Sequence, residues 1–333
     1  YKMSNYIEFS DGFDHSSAYL ERPMDLKQLK AFVTVSETGS VTSAARLLNI
    51  VQPAVSRQLR LLEDDIGAPL FTRGRLGMEL TEDGKTLEGY ARRALKELDR
   101  ARAEIRPTSG SVGGIVTVGL LPSTADMLGS ALLHAVSRRF PGIRLRLTSG
   151  YAGHLQSWLE AGDVDVALLY DSKPNPALKL RSLLEESLWL VGLPMSGLDR
   201  GTPVRMADIL GYPLVLPGAP HGLRLLVETA ARTHETELNV VAETNAMSVQ
   251  KRLVLDGFGY TILPSIAVAD DVDQGNLAAA PVVDPVLMRR IVLALPATRD
   301  VPNSVRCVMA ELIECAQEAV RQNRWPSTRW LAT

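Results

Sequence analysis

Between positions 52 and 62 the sequence places side chains that can read DNA along one side of a helical pattern. Val55, Leu59 and Leu62 recur at helical spacing and form an apolar stripe, while polar and basic side chains fall on the other side. Glutamine and arginine can hydrogen bond to base edges in the major groove, and serine can hold a phosphate. We therefore expect a DNA-contact surface formed by Gln52, Pro53, Ser56, Arg57 and Arg60.

A shorter helical pattern precedes this one and is separated from it by a break. Ser40 is suited to cap its start, and its apolar residues continue to Leu48. Positions 49–51 interrupt the pattern, and Pro53 is tolerated in the next first turn because its missing N–H has no intrahelical partner there. Two helices with a short turn are typical of a helix-turn-helix, whose second helix enters the major groove. A pair of packed helices in an ordinary α-helical domain is the alternative.

The residues that follow extend this pattern into a family resemblance. LEDDIGAPLFTR occupies positions 62–73, a glycine-rich segment follows, and LTEDG occupies positions 80–84. With the QPAVSRQLRLL run before them, these segments resemble the LysR-type transcriptional regulators, closely over positions 24–106 and more loosely to about position 321. The resemblance implies a winged helix-turn-helix domain over 24–80. One departure is Val51, where the family usually has a serine or threonine that can cap the recognition helix, because valine offers no side-chain oxygen.

The segment from Arg73 to Leu80 alternates glycine and arginine between apolar positions, which predicts a two-stranded wing. Arg73 and Arg75 are candidates for contacts with phosphate or with a minor groove. A solvated turn without a DNA role is the alternative for this segment.

A long helix is expected over positions 81–106, with Thr81 as its cap. Its apolar residues alternate at spacings of four and three, as in a heptad seam, and several of them are small. The seam consists of Leu87, Ala91, Ala94, Leu98, Ala101 and Ile105. A lone amphipathic helix is one interpretation, whereas the resemblance implies a dimerising linker helix. The expected assembly is a homodimer or homotetramer on double-stranded DNA, at a pseudo-palindromic operator with half-sites about one turn apart. The transcription machinery is a further expected partner.

The remaining chain predicts a second, α/β domain. Positions 107–114 form a hinge by composition, and alternating strand and helix patterns over 115–325 indicate a parallel sheet covered by helices. The resemblance implies a two-lobed domain of periplasmic-binding-protein type. Lobe 1 is expected at about 115–184 and 286–325, and lobe 2 at about 185–285. Positions 1–23 are aperiodic and are expected to form a loose extension, native or not.

Several strand-to-helix loops of this domain carry candidate ligand-binding residues. Ligands of open α/β sheets lie beyond the carboxyl ends of the strands, where helix N-termini favour anions. The resemblance places an effector in an interlobe cleft at this edge. For each residue a helix cap, a turn or simple packing is the alternative. The candidate effector-binding residues are Ser123, Thr124, Tyr151, Pro217, Gly218, His221, Thr244 and Asn245.

Composition limits the remaining function classes. The 333 residues are 46% hydrophobic with a formal net charge of −2, so a core is available and any DNA-binding surface must be local. Cys307 and Cys315 are expected to be buried thiols rather than a disulfide or metal pair. We find no catalytic signature and no histidine cluster, and expect no enzyme activity, cofactor or metal. The chain shows neither a leader nor a long apolar stretch, which predicts a cytoplasmic protein without membrane contact.

These observations predict a sequence-specific DNA-binding transcriptional regulator. Its C-terminal domain would sense a small molecule in the interlobe cleft and alter dimer geometry and DNA bending. The alternative is a small-molecule-binding α/β protein without a DNA role.

Overall fold

The computed structural model describes residues 24–74, 77–105, 112–170, 175–233, 237–297 and 300–331. The predictions for the N-terminal extension, for Arg75 and for positions 107–111 of the hinge lie outside these residues. The chain divides into two compact units, one ending at Leu98 and one beginning at Asp99. Each unit is described by itself.

Three helices pack together in the first unit: α1 is Leu26–Thr38, α2 is Val41–Leu47 and α3 is Gln52–Ile66. Their apolar faces meet in a core where Phe32, Val35, Ala44, Val55 and Leu62 are fully buried. Burial of this shared face, rather than the propensity of such short helices, is what stabilises them.

The helix starts follow the local chemistry of their caps. The Ser40 hydroxyl accepts from the backbone N–H of Ser43, which confirms the predicted cap of α2. At the start of α3, Val51 makes no side-chain cap hydrogen bond, as expected for valine. Helix α3 therefore begins without a side-chain cap, and the Ala54 N–H donates to the Val51 carbonyl oxygen instead.

The predicted wing is present as an antiparallel pair, β1 (Phe71–Gly74) and β2 (Gly77–Leu80). Oε1 of Glu63 accepts from the backbone N–H of Leu70 at 2.8 Å and of Phe71 at 3.3 Å. These bonds hold the start of β1 against helix α3. Gly77 has φ +131°, and a Cβ there would lie 2.4 Å from the carbonyl oxygen of Gly39. Only glycine fits this approach of the wing to the end of α1.

Helix α4 spans Glu82–Ile105, and the Thr81 hydroxyl accepts from the Gly84 N–H at 2.9 Å, which confirms the predicted cap. The helix is tied to α1, because Ser36 donates to Glu88 and Arg92 donates to Glu37 and Glu88. The predicted seam residues differ in burial along the helix, and the side chain of the last one, Ile105, lies outside the described part of the chain. Leu87 and Ala91 pack on the core of the first unit, whereas Ala94, Leu98 and Ala101 are exposed in the single chain.

The second unit is α/β with two lobes. In lobe 1, strands β3 (Gly113–Leu120), β4 (Gly142–Ser149) and β5 (Val166–Tyr170) are parallel. Helices α5 (Pro122–Arg139), α6 (Ala152–Ala161) and α11 (Asn303–Arg321) contribute buried residues to the same core. Strand β3 already begins at Gly113, inside the predicted hinge. Helix α5 begins at Pro122, because proline is favourable at the first helical position.

Strand β6 (Leu178–Gly192) runs through both lobes. Its first part pairs with β12 (Met288–Pro296) in lobe 1, and from Leu188 onward it pairs with β10 (Tyr260–Pro264) and β11 (Ala278–Val283). The sequence places the start of lobe 2 at about position 185, where the structure has one continuous strand that changes partners at Leu188. A pattern of apolar runs cannot show that two runs belong to one strand.

Lobe 2 consists of strands and helices packed on two faces of its sheet. Leu188, Leu190 and Ile262 belong to one core, while Trp189 and Val191 belong to another on the opposite face. The other elements of lobe 2 are β7 (Val204–Arg205), α7 (Met206–Ile209), β8 (Leu214–Leu216), α8 (Gly222–Arg232), β9 (Val240–Glu243), α9 (Met247–Leu255) and α10 (Ala269–Asp273).

A C-terminal segment that the sequence pattern did not predict completes the second unit. Strand β13 (Thr328–Trp330) pairs antiparallel with β6, and the preceding Trp325 is almost fully buried in the core of lobe 1. Cys307 and Cys315 are free thiols that are half-buried, so they are less enclosed than predicted. Within the described residues, no helix combines the length and the apolarity needed to cross a membrane.

Candidate DNA-binding surface and ligand cleft

Helix α3 presents its polar side to solvent. All five residues predicted to contact DNA on this helix are exposed, while Val55, Leu59 and Leu62 hold the helix to the core. The exposed residues are Gln52, Pro53, Ser56, Arg57 and Arg60.

The side chains on this surface are only weakly engaged within the protein. Gln52 Nε2 donates to Ser56 Oγ at 3.1 Å, and Arg60 lies 3.9 Å from Asp64 with 84% of its side chain exposed. Such an exposed pair contributes little to stability, so the guanidinium can exchange its partner for a phosphate or a base. The first turn of α3 has no side-chain cap, and Pro53 has no N–H, so the Gln52 N–H is the group there that suits a phosphate.

The wing contributes a second basic position to the first unit. Arg73 lies in β1, opposite Met78 of β2, and is exposed. Arg75, at the tip of the sequence segment, lies outside the described residues.

A cavity of about 40 Å³ lies between the two lobes of the second unit. Four of the predicted effector-binding residues line it: Ser123 and Tyr151 from lobe 1, and Pro217 and His221 from lobe 2. The full lining consists of Leu121, Pro122, Ser123, Tyr151, Tyr170, Pro217, His221, Leu223, Met247, Gln250, Leu263, Pro264 and Arg289.

The other four predicted residues are not among the lining residues. Thr124 is fully buried and donates to the carbonyl oxygen of Leu121. Asn245 accepts from the Gly218 N–H at 3.0 Å, and Thr244 accepts from the Ala246 N–H at 3.2 Å. These contacts shape the loops beside the cavity, which corresponds to the capping and turn roles weighed as alternatives.

His221 bridges the lobes. Its Nδ1 accepts from the Leu223 N–H at 3.2 Å and caps α8, which leaves the proton of the neutral ring on Nε2. The ring lies 5.0 Å from that of Tyr151 and 6.2 Å from that of Tyr170, both in lobe 1. Burial, and then the positive charge of Arg289, lower the pKa of His221 below its ordinary 6.5. Neutral His221 thus has one ring nitrogen committed to a cap and one available as a donor.

The charged residue Arg289, which lines the cleft, was not predicted from the sequence. Arg289 donates from Nε to Oε1 of Glu186 at 2.5 Å and from Nη2 to Ser123 Oγ at 3.2 Å, and its guanidinium lies 5.1 Å from the Tyr170 ring centre. The second oxygen of Glu186 accepts from Trp325 Nε1 at 2.7 Å. Adjacent Arg289 and Arg290 must point to opposite faces of a strand, but the sequence does not show which one is buried.

Gln250 is a second lining residue that sequence reasoning missed. It is 3% exposed, and its Nε2 lies 3.4 Å from Thr261 Oγ1. Its position in the first turn of α9, three residues after Met247, is a signal that could have placed both side chains on the cleft side of that helix.

Comparison with known proteins gives two family matches. The model of the bacterial regulatory helix-turn-helix protein, lysR family, matches residues 26–85, and that of the LysR substrate binding domain matches residues 109–317. Together the matches cover both the α3 surface and the lining of the cleft.

Curated relatives match almost end to end. The HTH-type transcriptional regulator BbuR of Bordetella bronchiseptica is 30% identical over 304 residues, which is 91% of this chain and 94% of that one. The nitrogen assimilation regulatory protein nac of Klebsiella aerogenes is 28% identical over 90% of this chain and 98% of its own.

Solved structures share the fold. Full-length OxyR C199D from Pseudomonas aeruginosa has a TM-score of 0.68 at 20% identity, over 88% of this chain and 97% of that one. Full-length CbnR, solved in complex with its target DNA, has a TM-score of 0.65 at 24% identity, over 89% and 100% of the two chains.

Proposed function

The chain belongs to the LysR family of bacterial helix-turn-helix transcriptional regulators, and from that premise we propose how this member works. Helix α3 reads operator DNA, and a small molecule in the cleft of the second unit changes the geometry of the oligomer and the bend of the DNA. The observation that carries the first part is the segregation of α3 into a buried apolar side and an exposed Gln, Ser and Arg side.

The proposed contacts with DNA are of two chemical kinds, those to base edges and those to phosphates. Gln52 and Arg57 can hydrogen bond to base edges, while Ser56, Arg60 and the wing residue Arg73 can hold phosphates and fix the register. Pro53 fixes the backbone of the first turn of α3, and its exposed ring can lie against the DNA backbone.

A second copy of the chain completes the DNA-binding unit. One helix-turn-helix makes few base contacts, so two half-sites about one DNA turn apart are needed for a specific site. The exposed Ala94, Leu98 and Ala101 of α4 are the surface we assign to the partner helix. A homodimer, or a tetramer of such dimers, then matches a pseudo-palindromic operator.

The cleft of the second unit is the site that we assign to the regulating small molecule. His221 and Gly222 of lobe 2 lie against Tyr151 and Tyr170 of lobe 1, so the separation of the lobes and the shape of the cavity are linked. A ligand that fits one separation better than another shifts the population toward it. We assign Ser123, Tyr151, Pro217 and His221 to direct ligand contact, and Thr124, Gly218, Thr244 and Asn245 to the loops that hold them.

This proposal needs no catalysis, cofactor or metal ion. The relatives matched over the whole chain are regulators, and the cleft residues hold or orient a ligand rather than form a nucleophile–base pair. Its site of action is the cytoplasm, where the operator and the transcription machinery are present.

Selection from a random duplex library by the purified full chain tests the proposal. We expect enrichment of a pseudo-palindrome with half-sites about one helical turn apart, bound with an affinity that falls steeply with salt. Recovery of unrelated sequences after repeated rounds would contradict it.

A further inference from the structure

We propose that the cleft takes a small, largely apolar carboxylic acid as its monoanion, with the carboxylate against Arg289 and Ser123. This inference rests on the proposed ligand role of the cleft and specifies its chemistry.

The first observation is a buried cation at the cavity wall. Arg289 is 6% exposed and lines the cavity. Its Nε and one N–H of Nη2 are used by Glu186 and Ser123, whereas no hydrogen bond from Nη1 to another residue is found in the described part of the chain. A guanidinium with donors to spare is the side chain best suited to a carboxylate, which it can hold through two parallel hydrogen bonds.

The second observation is how firmly this guanidinium is positioned. Glu186 is fully buried, and its two oxygens are divided between Arg289 and Trp325. The chain around Trp325 is in turn fixed to β6 and to the Ser265 turn, because Ser187 donates to Ser327 and Ser265 donates to Pro326. Glu186 is not among the residues that line the cavity, and it orients the guanidinium of Arg289 in advance of binding.

The third observation is the electrostatic charge of the other polar groups around the cavity. No carboxylate occurs among the described residues that line it. Helices α5, α6, α8 and α9 each contribute a cap or first-turn residue: Pro122, Tyr151, His221 and Met247. Glu186 balances the charge of Arg289 from outside the lining, and the partial positive charge at each helix start then favours a negative group in the cavity.

The other residues that line the cavity determine which uncharged groups the ligand can carry. Leu121, Leu223, Met247 and Leu263 provide apolar surface, and Tyr151 and Tyr170 add aromatic rings. Neutral His221 offers one N–H donor. The cavity is about 40 Å³, far smaller than a typical ligand site, so it suits only a compact molecule with one charged end, and the lobes must separate to admit it. A dianion would leave its second charge against apolar walls.

Matched pairs of acids and amides test this chemistry in the full chain. We would measure thermal shifts with benzoate and benzamide, phenylacetate and phenylacetamide, and isovalerate and isovaleramide, with phthalate and inorganic phosphate as anions of other types. We expect at least one monocarboxylate to raise the melting temperature and to bind at least about tenfold more tightly than its amide, a ratio that corresponds to about 1.4 kcal/mol.

Variants connect that preference to the assigned residues. Arg289→Lys keeps the charge but loses the planar fork, and Ser123→Ala removes the hydroxyl; each should weaken acid binding by a larger factor than amide binding. Arg290→Lys, on the exposed neighbouring position, is the control and should bind acids normally.

The outcomes separate this inference from the proposed function. Equal binding of acids and amides, a preference for phthalate or phosphate, or no response to any monocarboxylate would overturn it. Duplex binding by the same preparations is scored independently, so the proposed function can stand when this inference fails.

Discussion

Arg289 and Glu186 face each other directly across β12 and β6, and they form an ion pair whose side chains are 6% and 0% exposed. The next pair along the same two strands, Arg290 and Glu185, lies on the opposite face with the arginine 52% exposed. The same pair of residue types thus occurs once inside the cleft wall and once in solvent, which provides a natural internal control.

Glu186→Gln is expected to destabilise the second unit strongly. The change leaves the buried guanidinium of Arg289 without a counter-charge, and breaking a buried pair in this way costs about 3–5 kcal/mol. Glu185→Gln should change stability far less, because Arg290 and Arg329 can turn to water. Thermal unfolding of the two variants checks this, and similar melting temperatures would be inconsistent with the assigned role of the buried pair.

Val51→Ser is expected to stabilise the first unit. Val51 is 70% exposed, so little packing is lost, and a serine oxygen can accept from the Ala54 N–H, which donates to the Val51 carbonyl oxygen at 2.9 Å. A good cap contributes about 0.5–2 kcal/mol. Val51→Ala serves as the control that removes bulk without adding an acceptor. A serine variant that unfolds no later than the alanine variant would show that the uncapped start is not a weakness.

His221 should make the second unit less stable in mild acid. Because its pKa is lowered in the folded chain, His221 is neutral in both states above pH 6.5; below that, the unfolded chain takes up a proton first. Stability is therefore lost as the pH falls from 6.5 toward the lower pKa of the folded state. His221→Asn keeps an acceptor for the Leu223 N–H but cannot titrate, so it should remove that part of the pH dependence. Parallel melting curves across this range would decide the matter, since an unchanged pH profile in the asparagine variant excludes His221 as the cause.

Gly222→Ala is expected to disturb the contact between the lobes. A Cβ at this position would lie 2.7 Å from Tyr170 Cε2, so the ring or the lobe must move. Gly153→Ala, in the first turn of α6 with nothing within 4 Å of the added carbon, is the matched control. The control should be neutral or gain up to about 1 kcal/mol from the better helix propensity of alanine. Hydrogen exchange around Tyr170 and His221 should rise only in the Gly222 variant; equal exchange in both would argue against a close interlobe contact.

The features that could be predicted from the sequence are those decided within a few residues. The caps at Ser40 and Thr81, the polar side of α3 and the wing depend on local hydrogen bonding and apolar spacing, and the structure has each of them. Ser123 and His221 were found for the same reason, since each lies beside the start of a helix that follows a strand.

The features that could not be predicted depend on partners far apart in the chain. Arg289 and Trp325 reach Glu186 from 103 and 139 positions away, and a single sequence does not encode such pairings in any local pattern. The continuity of β6 through both lobes is likewise set by its neighbours β12 and β10 rather than by its own residues. Thr124 and Thr244 had the residue type of ligand contacts, but backbone groups beside them use their hydroxyls.

The most direct test of the account is Arg57→Ala on the duplex obtained by selection, with Arg232→Ala as an exposed arginine in the second unit. Mobility shifts over a range of salt concentrations should show a loss of about 1–3 kcal/mol of binding free energy for a base contact, with relaxed sequence preference, or a salt slope reduced by about one for a phosphate contact. The control should bind as the parent chain does, and both variants should keep the same oligomeric state. Unchanged affinity, preference and salt slope in Arg57→Ala would contradict the claim that α3 reads the DNA.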